Sequence, residues 1–488
     1  MLMTQRWLIL VLITIIPATL LSQEETPEEL FEDGDFFFAR EEYEEAAYLY
    51  RQLLNREPEN HNAHYKLGMA YLNIEGQEAY SIEHFLKAAE NTSIDYRKNY
   101  YGEKQAPHHT WFYLGDAYRV TNQLDSALEA YQRFKEPRDF DRHYNVRITD
   151  EQIKAVERAK IIQDAPLELY TSCFEEPINT TQKDYSAVIS ANEQIMVWLN
   201  SQKFYEAILM SVKQDGKWSA PINITPQVGS DGDMIPTGLS ADGTELLLLK
   251  QDPLDNDIYY SRHDGTFWSV AEPISGEINS NFTEDHASFH PDGSKIYFSS
   301  DRRGSLGGLD IWVSEKREDG SWSDPENLGE KVNTENDETS AYITPDATHL
   351  VFSSKGHYNM GGYDIFVCDI KDDGTFSYSY NIGYPINNTG DNTWFIPVKD
   401  GNTGIYSRRH DDGVGDRDIW YMEIVPRDAA VARALTRLSE EDFTITINDH
   451  ETGEKITLIY DAVNDRITVR SQSGKEYTVV YSREKHEE

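Results

Sequence analysis

The stretch Gly308-Leu309-Asp310-Ile311-Trp312-Val313 decides the fold, because its centre returns along the chain as Asp257-Ile258-Tyr259, Asp364-Ile365-Phe366 and Asp418-Ile419-Trp420. The steps between successive copies are 53, 54 and 54 residues. That period is too long for a helical hairpin and suits a four-stranded propeller blade. Working outward from Asp310, each unit opens with an acidic loop and a strand, as in Glu284 to Phe289, then a Pro291-Asp292-Gly293 turn and a second strand, Lys295 to Ser299. Such Asp-Gly turns between apolar alternations are hairpin signals. Five units fit between about 180 and 424, with six blades as the alternative. The last unit ends at its third strand, Asp418 to Ile424, which would leave an unpaired edge. The segment Pro166 to Asn179 carries Leu167, Leu169 and a Pro177-Ile178-Asn179 ending that recurs at Pro385-Ile386-Asn387. It is expected to supply the missing strand and close the ring.

These units, above all the two spanning 279–386, resemble the WD40-like repeat of TolB-type propellers. That resemblance implies a display scaffold whose chemistry, if any, lies in its loops.

At 488 residues the chain is long enough for several cores. Its formal net charge of −40 repels phosphate backbones, so nucleic acid is excluded as a partner. Residues 1–22 read as an export signal: Arg6, then an apolar run from Trp7 to Ile16, Pro17, and small Ser22 before Gln23. An uncleaved anchor is the alternative, although the run is short for a membrane span. Cys173 and Cys368 are too few for a disulfide framework.

Residues 23–165 form the expected helical half. Trp111, Leu114, Gly115, Tyr118, Ala127 and Tyr131 follow a repeating pattern of large, small and aromatic positions. Leu67, Gly68, Tyr71, Phe85 and Ala88 repeat it, as do Leu30, Gly34, Phe37, Ala46, Tyr50 and Pro58. The pattern resembles tetratricopeptide repeats, with residues 91–107 inserted before the third copy and a capping helix over roughly Thr149 to Ile162, begun near Asp150. An inner face carrying Tyr65, Met69, Phe112, Asp116 and Arg119 reads as a peptide-binding groove; a rigid spacer is the structural alternative.

In the propeller, Asp184, Asp233, Asp285, Asp337 and Asp391 open successive units and are expected to ring one mouth of the central channel. A ring of carboxylates suits a divalent cation or a cationic ligand. The structural alternative is that each aspartate caps its own turn or pins the neighbouring blade. Loops on the same face carry Arg302 and Arg303, His357, and Arg408 and Arg409, placed to grip an acidic partner or a glycan, or to neutralise the aspartates. No cofactor is expected. No Gly-x-Ser-x-Gly elbow or His-Glu-x-x-His helix occurs, so no enzyme is expected either. The competing reading is a glycosidase using two channel carboxylates.

The propeller is expected over 166–426 and a small β-sandwich over 433–488. In the latter, Asp449 to Glu454 and Ser473-Gly474-Lys475-Glu476-Tyr477 look like a carboxypeptidase regulatory-like domain. The order of helical repeats, WD40-like propeller and regulatory-like sandwich is similar to Bacteroidota envelope proteins of PorE-like architecture, associated with type IX secretion. The resemblance implies an exported, non-catalytic adaptor with protein partners, at the periplasm or the inner face of the outer membrane. Relatives continue into an OmpA-like domain that grips peptidoglycan; the chain stops at Glu488 without one, so peptidoglycan binding is not expected.

Overall fold

The computed structural model describes residues 25–251, 256–399, 401–410 and 412–425, and four later strands between 443 and 480. The proposed export signal, the Asp449–Glu454 motif and the Ser473–Lys475 turn lie outside the described residues. The chain divides into two compact units, Met1–Thr110 and Trp111–Glu488.

The first unit pairs helices α1 (Pro27–Ala39) with α2 (Tyr43–Arg56), and α3 (His61–Leu72) with α4 (Glu78–Ala89). Thr26 caps α1 in a reciprocal capping box with Glu29. Each hairpin closes on a glycine. A Cβ at Gly34 would stand 2.6 Å from the Tyr50 ring, and one at Gly68 would stand 2.8 Å from Phe85. The repeated aromatic therefore demands the repeated glycine.

In the second unit, α5 (Thr110–Val120) and α6 (Leu124–Phe134) repeat the device, Gly115 facing Tyr131. A short α7 (Phe140–His143) leads to α8 (Val146–Gln163). The capping helix starts three residues before the expected Thr149, because Asn145 accepts a hydrogen bond from the Ile148 amide and serves as the cap in place of Asp150.

The propeller has five antiparallel blades. Their inner strands are Asp184–Ile189, Met234–Leu239, Glu284–Phe289, Glu338–Ile343 and Ile396–Val398. Blade 5 takes its outer strand from Leu169–Cys173, which runs antiparallel to Asp418–Ile424 with Cys173 opposite Trp420 and Leu169 opposite Ile424. The ring closes as the sequence implied.

A repeated side chain explains the isoleucine of the motif. Asn279, Asn333, Asn387 and Asn179 each accept from the amide, and donate to the carbonyl, of Ile258, Ile311, Ile365 and Ile419 respectively, at 2.7–2.9 Å. Three of these asparagines stand at equivalent places in successive blade connections; the fourth, Asn179, comes from the segment preceding blade 1. Closure thus uses the repeat's own joint. The motif aspartates tie down the preceding loop: Asp310 accepts from the Leu306 amide and Asp418 from that of Val414.

The four later strands form one antiparallel sheet in sequence order, Phe443–Asn448, Lys455–Asp461, Arg466–Ser471 and Glu476–Val480. A second sheet, which a sandwich needs, is not among the described residues.

Candidate functional site

The start of each inner strand holds the carboxylates, but the five expected aspartates do not share one position. Backbone pairing sets the true equivalents. The amides of Asp184 and Glu338 donate to the carbonyls of Arg417 and Leu309 in the preceding blades, and Asn392 does the same to Tyr363. Asp184, Glu284, Glu338 and Asn392 therefore correspond, with Met234 in blade 2. Each polar member accepts from the amide four residues earlier, on Thr180, Ser280, Thr334 and Asn388. Asp184, Glu284 and Glu338 are buried caps, and Asn392 is a half-buried one. Asp184 also accepts from Trp198 and Asn200, and burial pushes its carboxyl up.

Asp233, Asp337 and Asp391 sit one residue earlier and work outward. Asp337 accepts from the Leu309 amide at 3.2 Å and pairs with Lys355 at 2.9 Å; Asp391 accepts from the Tyr363 amide at 2.8 Å. Both pin the preceding blade. Asp233 pairs with Lys250 at 3.5 Å. Asp285 sits one residue later than the caps, half-buried, accepting from Thr339 at 2.6 Å, and burial raises its carboxyl. Among the described residues no three His, Cys, Asp or Glu side chains are grouped to hold a metal ion.

The axis beyond Asp285 is filled. Tyr342 donates to the Thr237 carbonyl at 2.9 Å, and since blades 2 and 4 are not neighbours, this bond crosses the centre. That hydroxyl proton being committed, His286 Nε2 is the donor to Tyr342 at 2.6 Å. Burial pushes the imidazole down to about 3, so it is neutral, and Trp394 meets its ring edge-on at 4.8 Å.

The basic loops turn inward as well. Arg302 pairs with buried Glu284 at 2.8 Å and stacks 4.8 Å from Phe298. His357 bonds the Val332 carbonyl and Ser379, and burial lowers its imidazole. Arg408 stacks 4.6 Å from Trp420. Arg303 and Arg409 are exposed. Arg302 does neutralise an acid, but Glu284 rather than a member of the expected ring.

The helical candidates are also engaged. In the first unit, Tyr65 packs 6.3 Å from Tyr96 of the 91–107 insertion, whose hydroxyl donates to Asn62. Asn99 of the insertion takes Lys66, and Tyr101 packs on Phe31. The insertion thus lies over the face carrying Tyr65, with Met69 half-buried one turn further on. In the second unit, Phe112 packs on Tyr131 and Phe134, and Asp116 accepts from Tyr131 at 2.6 Å. Burial raises the Asp116 carboxyl against the pull of Arg119. Arg119 itself is buried and donates to the Thr389 carbonyl of the propeller. Arg158 donates to the His357 carbonyl, while Ala159 and Ile162 pack on Met360. Helices α5, α6 and α8 are therefore docked on the blade loops. The recurring Asn179 and Asn387 endings were the legible part of a longer signal for the joints, in which Asn279, Asn333 and Asn387 recur at a step of 54.

Residues 34–74 match the model of the TPR repeat family. No curated protein matches the chain. Among solved structures, the chain is similar to TolB from Acinetobacter baumannii, at 16% identity over 50% of this chain and 54% of that one, TM-score 0.33. It is similar to a putative TolB from Agrobacterium tumefaciens, at 19% identity over 49% and 73%, TM-score 0.31. It is also similar to an α-L-arabinofuranosidase from Podospora anserina, at 10% identity over 53% and 98%, TM-score 0.34. The chain spans about half the length of the first of these.

Proposed function

We propose that this chain is a non-catalytic protein-interaction scaffold, exported to the bacterial envelope and held in the periplasm or at the inner face of the outer membrane. One observation supports this reading above the others. The charged side chains that a catalytic or ion-binding mouth would use are largely spent on joints: Asp184, Glu284 and Glu338 as caps, Asp337 and Asp391 as pins between blades. Tetratricopeptide repeats and propellers are built to present surface to other proteins. The exposed aromatics Phe36, Tyr48 and Tyr80 of the first unit are the surfaces we assign to partners. No helix among the described residues is long and apolar enough to cross a membrane. A PorE-like place in a type IX secretion assembly, and a regulatory-like fold for 443–480, belong to this proposal and rest on the sequence resemblance.

The competing reading, glycan binding or hydrolysis, is favoured by Asp285, which is half-buried with a raised carboxyl and is neither a cap nor a pin between blades. Crosslinking in the native envelope followed by purification separates the two. The scaffold reading expects defined protein partners, retained by Asp285→Asn and lost in a Phe36→Ser, Tyr80→Ser double variant. Glycoside hydrolysis by the purified chain that Asp285→Asn abolishes, with the fold intact, would overturn it.

A further inference from the structure

The closing seam holds a cavity at the place where blades 2 and 3 bury a tryptophan. In each of the first four blades an aromatic residue followed by serine stands at the outer turn: Trp218-Ser219, Trp268-Ser269, Trp322-Ser323 and Phe376-Ser377. Each aromatic pairs with the end of its own third strand, at Lys213, His263, Lys316 and Ile370. Trp268 and Trp322 are wedged into the core, 4% and 5% exposed, and Trp268 Nε1 donates to Met210 Sδ in the blade before it. Trp218 holds the same place facing blade 5, yet remains half-buried beside a cavity of about 280 Å³. The cavity is walled by Cys173 at the end of the latch strand and Phe174 after it, Ile405 and Tyr421 of blade 5, and Lys213 of blade 1. Its volume is near the ~300 Å³ at which small-molecule sites begin.

We propose that this seam cavity binds a small planar aromatic carboxylate. Trp218 and Phe174, edge to face at 6.5 Å, offer an aromatic wall to a ring. Ile405 and Val398 supply the apolar floor. Lys213 sits 5.5 Å from the Trp218 ring and has no ion-pair partner among the described residues, whereas Glu193 on the same lining is matched by Lys399 at 3.6 Å. The one unmatched charge of the cavity is therefore positive, and a carboxylate on the stacked ring is its complement. The chain's overall negative charge does not forbid this, since exposed charges beyond ~8 Å are screened at physiological salt.

Cys173 Sγ gives the reading. Cys173 is half-buried in the cavity wall, while Cys368 is buried. Alkylation of the full chain by iodoacetamide, followed by mass spectrometry, reports occupancy at Cys173. Indole-3-acetate is expected to slow labelling saturably, about tenfold at ~10 times its Kd. Indole-3-acetamide should bind about tenfold more weakly and tryptamine should not protect. Lys213→Met should remove the preference for acetate over acetamide, and Lys213→Arg should keep it. Absence of saturable protection, equal protection by the three compounds, or an unchanged preference in Lys213→Met overturns the proposal.

Discussion

Trp322 and Trp218 occupy the same place in their blades, yet one is 5% exposed and the other borders a cavity. Blades 2 and 3 are joined by continuous chain, and their seam is packed with Trp322, Ile274 and Ile278 in one cluster. In blade 5 the outer strand arrives from the far end of the propeller sequence, and it then runs on into the inner strand of blade 1. At the seam between these two blades, Ile178, Ile405 and Ile419 are buried in one cluster with Val188 and Val197 of blade 1, and Asn179 bonds Ile419 as its counterparts do at the other joints, but the wedge position is open. The contrast teaches that the closing seam keeps the asparagine joint and the apolar core of the other seams while leaving out the buried tryptophan wedge of blades 2 and 3.

That contrast can be broken by substitution. Trp322→Ala should cost about 3–5 kcal/mol in chemical denaturation, the usual loss for a buried aromatic, whereas Trp218→Ala should cost about 1 kcal/mol because its place is already open. Equal losses would remove the distinction between the seams. Asn179→Ala strips partners from a buried amide and a buried carbonyl and should cost about 2–4 kcal/mol. A loss below that seen for Asn279→Ala would mean the latch contributes less than the ordinary joints.

A smaller effect depends on pH and compares blade 3 with blade 4. Glu284 has Arg302 at 2.8 Å, but blade 4 has Gly356 where blade 3 has Arg302, and a Cβ at Gly356 would strike Thr334. Glu338 is left with neutral donors, Ser354 and Thr334, and burial pushes its carboxyl up to about 7. The folded chain holds a proton that the unfolded chain releases near 4.5. Its contribution is therefore fully present below about 4.5 and is lost as pH rises through about 7, an effect of about 3 kcal/mol at most. The stability difference between Glu338→Gln and the natural chain should widen across that window and then level off. Parallel curves would contradict the assignment.

The five-blade ring and its latch were legible because the period is written into the chain at Asp-Ile-aromatic, and an open third strand must find a partner. The aspartate positions were not, because the repeated acceptor is Asp184, Glu284, Glu338 or Asn392, so following the letter Asp lands one residue off. A shift of one residue along a strand turns a buried cap into an outward pin. The inner strands also carry bulges, as between Thr339 and Tyr342, which hide their register. Arg119 and Asp116 were rightly placed on one helix, but the docking that buries Arg119 against Thr389 is a tertiary contact over 270 residues of separation.

Hydrogen exchange followed by mass spectrometry, on the full chain, tests the closure most directly. If Leu169–Cys173 latches the ring, its amides exchange as slowly as those of Asp418–Ile424 and the two segments open together in denaturant. Rapid exchange at 169–173 while 418–424 and blades 2 to 4 stay protected would show that the ring is not shut there.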